Sequence, residues 1–475
     1  MKRDQIGTSQ KVRFNVNKIY LNLFLCSLFL LPFINDFPLF PKSHFARTPS
    51  MFTLLLSAIL LVSYLLLGKV NFYIHQTKLT FLLLAYVFWA ILSGVFNFFI
   101  IGNLNSIEIS GYAIFLKNIT MLVFYFYICL FAYNALRNNE DAFLKIRNVC
   151  MYSFLIVIPY ALLEILSYYY EINLASYLLR YLEPIFHDRN YAFTDDVSRV
   201  RGYAFEPSYF SLYIAFVSPW LLSYLIEIYE KKKFLFSLLI FLFFTIIIYT
   251  QSRITYITVI IQVAIYVWLI LHFQIKKELF KKNLLIKVFI FTAFLLFIVS
   301  MNYQKIFWTF QSLTSFEPTN ISNLERLASM HSAMLLSLDH PIYGVGFGLA
   351  GAYLPDYYPD YAFLSYSMVF WANAREINFG TPVFSVLPRV LAETGLIGGA
   401  LFLGAWLTAM YSIYKKILIN FRNNNRIPYV GISLFTTLLG LLSASFGVDD
   451  LGFVGYWLSF GMTMAYVSNH HILTS

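Results

Sequence analysis

The sequence predicts an all-α integral membrane protein of about twelve transmembrane helices, with a long loop between the ninth and the tenth. Three observations predict it. Of 475 residues, 59% are hydrophobic and 12% charged, against roughly 45–50% and 25% in soluble domains. The apolar residues come in unbroken runs of about 20, the length a helix rising about 1.5 Å per residue needs to cross about 30 Å of hydrocarbon. Charged or Pro-containing breaks separate the runs, so each backbone segment inside lipid can satisfy its own hydrogen bonds as a helix. A soluble fold is excluded.

Taken in order, a basic tail (residues 1–18, with Lys2, Arg3, Lys11, Arg13 and Lys18) precedes the first apolar stretch. It looks like a signal peptide, but no small-residue cleavage site follows and more spans do, so an uncleaved first helix is expected. Spans are expected near 19–40, 51–68, 79–101, 112–134, 148–170, 203–226, 234–250, 254–273, 284–303, 389–413, 428–446 and 451–468. They make one polytopic domain over 19–470, with large loops at 171–202 and 304–388 and a tail at 471–475. Cys26, Cys129 and Cys150 lie in or against apolar runs with no CxxC spacing, and read as small core hydrophobes.

The formal charge of +10 would suggest nucleic acid in a soluble protein; here it reflects the basic loops that anionic leaflets and the insertion machinery select, and no nucleic-acid partner is expected. With the N-terminus inside, 22 of the 34 Lys and Arg fall in the inner loops and tail and 12 in the outer ones. Both termini are therefore expected in the cytoplasm. The two sets also differ in kind: 16 of the 22 are Lys, including Lys231, Lys232, Lys233, Lys276, Lys277, Lys281 and Lys282, whereas 9 of the 12 are Arg. Lysine is a hydrated point charge suited to orientation, but guanidinium is a planar fork that grips phosphate or carboxylate in two places. An anionic ligand on the outer side is one reading of this bias; pairing with outer carboxylates is the other.

Several short patterns lie on that outer side. The 304–388 loop, too long for a connector, holds Trp308, Trp371 and the tyrosines Tyr353, Tyr357, Tyr358, Tyr361 and Tyr366, which suit either sugar stacking or a membrane interface. Within it, 324–338 has helical spacing and carries Arg326, and ends at Asp339, His340 and Pro341. Gly344, Gly346 and Gly348 follow, a GxGxG with neither the preceding strand nor the acidic residue of a dinucleotide site. Arg199 and Arg201 precede Glu206 and Pro207, where a span begins and a carboxylate is favoured by the helix dipole. Arg253 sits in a connection so short that it must lie near the membrane surface, facing a polar cavity or snorkelling. Arg389 and Glu393, four residues apart, share a helix face and are spaced to pair.

These pieces, in this order, resemble the Wzy-type O-antigen and exopolysaccharide repeat-unit polymerases, relatives of the O-antigen ligases. The stretches that carry the resemblance are RGYAFEPSYF (201–210), TQSR (250–253), the arginine of ERLASMHSAM (325–334), HPIYGVGFG (340–348) and RVLAETGLIGGALF (389–402). The first 200 residues match only as hydrophobic spans. The resemblance implies a GT-C-like membrane architecture in a bacterial inner membrane, with the 171–202 and 304–388 loops in the periplasm. It implies a glycosyltransferase that moves a growing glycan from undecaprenyl diphosphate to the non-reducing end of a new lipid-linked unit, the carrier being substrate; no metal-ligand spacing such as HxxE or DxD stands out in the outer loops, so no metal or other cofactor is expected. Expected partners are the lipid-linked oligosaccharide, the membrane and a chain-length regulator.

Glu206 and His340 are the candidate bases, Glu206 preferred; Arg253 and Arg326 join them as catalytic candidates. Arg199, Arg201, Gly344, Gly346, Arg389 and Glu393 are the candidate substrate contacts. An O-antigen ligase is the nearest alternative, disfavoured because no His occurs between Pro341 and Arg389. A flippase or transporter is the other; it would place ionisable groups at mid-membrane, where Glu164 is nearly the only candidate.

Overall fold

The computed structural model describes residues 17–35, 48–68, 72–104, 110–139, 141–187, 199–228, 232–275, 321–373, 381–424 and 427–469. Helices dominate throughout: α1 (17–29), α2 (Pro49–Leu66), α3 (Lys78–Phe96), α4 (Phe98–Asn103), α5 (Gly111–Leu136), α6 (Ala142–Tyr168), α7 (Asn173–Phe186), α8 (Pro207–Ile228), α9 (Lys233–Thr250), α10 (Arg253–Ile275), α11 (Ile321–Asp339), α12 (Tyr366–Asn373), α13 (Val386–Asn424), α14 (Tyr429–Ala444) and α15 (Val454–Ser468). Among the described residues there is no strand, and eight helices (α2, α3, α5, α6, α8, α9, α10 and α13) are long and apolar enough to cross a membrane. The chain is an all-α membrane protein.

Eleven of the twelve expected spans fall on described helices; the expected ninth (284–303), Trp308 and both tails lie outside the described residues except for 17 and 18. Three boundaries differ from expectation for local reasons. The first helix stops at 29 ahead of Pro32, which disfavours helical geometry in the residue before it. The third is interrupted at Asn97, whose side-chain amide donates to the Ser93 carbonyl (2.7 Å) and across to the Gly344 carbonyl (2.9 Å). The tenth begins at Val386 and continues for 39 residues, broken only at Gly395 (φ 67°). Beyond that kink about 29 residues rise about 43 Å in helical geometry, with Lys415, Lys416 and Arg422 in their last third.

Two features fix the frame around the site. The first is α8, packed against α6, α10 and α14 and buried along most of its length. Pro219 has no N–H, so the Ala215 carbonyl four residues earlier lacks its helical donor. Gln262 of α10 supplies one: its amide nitrogen donates to Ala215 O (2.7 Å) and to Thr436 O of α14 (3.0 Å), while its oxygen accepts from the Ser218 hydroxyl (2.7 Å). In lipid, where no water can substitute, one side chain thus joins three helices. The second is the contact between 341–348 and the α13 kink. The amides of Val345, Gly346 and Leu396 donate to the carbonyls of Ala392 (3.0 Å), Glu393 (3.0 Å) and Pro341 (2.7 Å). A Cβ at Gly344 would lie 2.4 Å from the Glu393 carbonyl carbon and one at Gly395 2.3 Å from Ile342 O, so only glycine permits this approach.

Candidate active site

A cavity of about 390 Å3 opens where the start of α8, the α9–α10 turn, the start of α11 and the loops before α13 and after α14 meet. Its walls include Arg199, Arg201, Glu206, Ser208, Arg253, Asn323, Arg326, Phe384 and Gly447.

The local sequence explains how each arginine reaches it. Gln251 adopts a left-handed conformation (φ 46°) that ends α9, and the Ser252 hydroxyl accepts the Thr255 amide (3.4 Å) at the head of α10. The chain therefore reverses in two residues, and Arg253, first in α10, is held at the rim, where it donates to the Asn323 side-chain carbonyl. Arg326, in the second turn of α11, donates to the Gly447 carbonyl and lies 5.0 Å from the Phe384 ring centroid, a cation–π distance. Burial pushes the Arg326 guanidinium below its ordinary pKa, and the nearby Glu206 carboxylate pulls it back up. Glu206 directly precedes the helix that Pro207 opens, with one carboxylate oxygen accepting from Ser208 (3.1 Å), and is exposed toward the cavity. Arg199 is likewise exposed at this wall.

Arg201 lines the same cavity but is otherwise committed. It is 2% exposed and ion-paired with Glu183 of α7, its backbone N–H and that of Gly202 donate to Glu164 (3.3 and 2.9 Å), and its guanidinium also reaches the Phe205 carbonyl (3.2 Å). His187 packs nearby, its Nδ1 2.8 Å from the Asn35 amide; burial, with the Arg201 cation adding to it, lowers its pKa to about 3. Glu164, the one carboxylate that suggested mid-membrane transport chemistry, is accounted for by this buried cluster: it anchors the 199–206 segment.

The remaining candidates lie elsewhere. Arg389 makes the pair with Glu393 that their spacing anticipates (2.9 Å), and a second with Asp449 (2.9 Å), whose other oxygen accepts the Val383 amide (3.0 Å). This triad lies outside the cavity wall and ties α13 to the loops bearing Phe384 and Gly447. His340 caps the end of α11 and is half-buried away from the cavity, so of the two candidate bases only Glu206 faces it. Gly344 and Gly346 serve the kink contact described above. Among the described residues no group of three or more His, Cys, Asp and Glu is arranged to hold a metal.

Reasoning from sequence missed Glu183, Asn323, Phe384, Gly447 and Asp449. Phe384 is a bulky residue at φ 61°, a conformation that costs strain and gathers at functional sites; nothing in the linear sequence signals it. A charge partner for Arg201 was implied by burying a guanidinium at all, but nothing singled out Glu183.

Residues 238–403 match the family described as O-antigen ligase. The match supports the O-antigen ligase and polymerase superfamily, whose members are membrane glycan-transferring enzymes, and does not separate the two activities. No curated protein matches the chain. Of the cavity residues, the matched stretch contains Arg253, Asn323, Arg326 and Phe384; Arg199, Arg201 and Glu206 precede it and Gly447 follows.

Proposed function

We propose that the chain polymerises undecaprenyl-diphosphate-linked oligosaccharide units, moving the growing glycan to the non-reducing end of a new lipid-linked unit on the periplasmic face. The observation that carries this reading is the convergence of Arg199, Arg253 and Arg326 with one carboxylate, Glu206, on a single cavity at the ends of membrane-spanning helices. In the step, an acceptor hydroxyl oxygen bonds to the donor anomeric carbon while the bond from that carbon to the diphosphate oxygen breaks. Glu206 takes the hydroxyl proton. The departing diphosphate gains a negative charge, which preorganised guanidinium groups stabilise more than they stabilise the intact donor.

The test is a strain lacking the protein and complemented with Arg253→Ala or Arg326→Ala, read as glycan chain length. Each variant is expected to leave single repeat units where the wild type makes long chains. Normal polymer from both would exclude the proposed roles. The family's description favours a second reading, an O-antigen ligase acting on lipid A core. Purified protein supplied with the lipid-linked unit alone separates them: a polymerase makes a ladder, whereas a ligase is inactive until lipid A core is added.

A further inference from the structure

We propose that an exposed apolar stripe on α11 is the track on which the isoprenoid tail of the lipid-linked substrate lies while its diphosphate occupies the cavity; this rests on the lipid-linked glycan reading above. Leu327, Met330, Met334 and Leu338 recur at helical spacing and so share one face of α11. The opposite face already has its core: Ala328, Ser329, Ser332, Ala333 and Leu336 are buried. Yet Leu327, Met334 and Leu338 are 41%, 51% and 72% exposed, on a side where a water-facing helix would carry polar groups. His331, at the border of the stripe, is turned to the Tyr361 hydroxyl (3.3 Å).

The two ends of the stripe indicate its occupant. At one end Leu327 and Met330 are themselves cavity wall, beside Arg326. At the other, the chain leaving α11 is bonded through the Pro341 carbonyl to the Leu396 amide, where Leu396 and Ile397, 62% and 41% exposed, begin the long segment of α13 past its kink. Apolar surface thus runs about 17 Å along α11, from three guanidinium groups to the outer wall of a membrane span. An anionic head joined to a long hydrocarbon tail matches both ends at once. A free sugar diphosphate would leave the stripe bare, and a neutral lipid would bring no anionic group to the arginine-lined cavity.

The experiment compares two synthetic donors bearing the same glycan diphosphate, one on an undecaprenyl and one on a geranyl tail, with purified protein in nanodiscs. Wild type and the surface variants Met334→Gln and Leu338→Gln are assayed for kcat/KM on each, with melting temperature as the control for folding. The track predicts that the ratio of long-tail to short-tail kcat/KM falls about tenfold in the variants. An unchanged ratio overturns it. Equal losses on both donors also overturn it, because they mark the stripe as a contact for bulk phospholipid. Failure of the wild type to use either donor would instead overturn the lipid-linked glycan reading beneath it.

Discussion

Arg201 and Arg253 look alike in the sequence, each an arginine a few residues from the start of a span, yet their surroundings give them different work. Arg201 is sealed between carboxylates, and removing one partner of such a buried pair typically costs about 3–5 kcal/mol because the other charge is stranded. Arg201→Ala or Glu183→Gln is therefore expected to lower the melting temperature of the purified protein sharply. Arg253 donates to a neutral amide oxygen at the rim, so Arg253→Ala should melt within a few degrees of wild type while its transfer rate falls by about 10²–10³, the usual effect of deleting a donor to developing negative charge. A reversal of the two outcomes in thermal melts and turnover would refute this division. Phe384 makes a separate test. At φ 61° a Cβ is strained and glycine is not, so Phe384→Gly should be more stable than Phe384→Ala by about 1 kcal/mol in denaturant titration, although both lose the ring over Arg326. Equal stabilities would mean that residue 384 is not held left-handed.

At the scale of elements, the helices themselves were legible because each is specified by its own run of about 20 apolar residues. What knits them was not. Pro219 is visible inside the expected 203–226 span, but nothing in the chain marks Gln262, 43 residues on, as the donor for the carbonyl Pro219 leaves unbonded. Gln262→Leu strands the Ala215 carbonyl and the Ser218 hydroxyl in a lipid-embedded core, at about 1–3 kcal/mol for a buried unsatisfied group. Pro219→Ala restores the intrahelical donor, so the double variant should recover part of that loss. Strict additivity in the double-mutant cycle would show that Gln262 does not serve this gap. The Arg389–Glu393 spacing was likewise legible as an i, i+4 pair, whereas Asp449, which completes it from the far side of α14, was too remote in sequence to suggest a partner.

Across the whole molecule, composition and run length were enough for the membrane class, and of the four arginines expected to converge, Arg201, Arg253 and Arg326 line one cavity whereas Arg389 lies outside its wall; the wall they share with Arg199, Phe384 and Gly447 was not anticipated. Convergence depends on how the ends of α8, α10 and α11 meet, and that is set by packing in the bundle rather than by local pattern. The charge bias still makes a prediction for the molecule as a unit. Lys415, Lys416 and Arg422 lie about 30–40 Å of helix from the Gly395 kink, while the cavity lies beyond the kink at the other end, beside Phe384. If the positive-inside bias sets the topology, the cavity faces away from the cytoplasm. With Cys26 replaced by Ser and the buried Cys129 and Cys150 left in place, Ser322→Cys at the cavity wall should react with a membrane-impermeant thiol reagent in intact spheroplasts. Lys415→Cys should react only after the membrane is opened. The opposite labelling pattern would place the cavity on the cytoplasmic side and overturn the periplasmic polymerase reading.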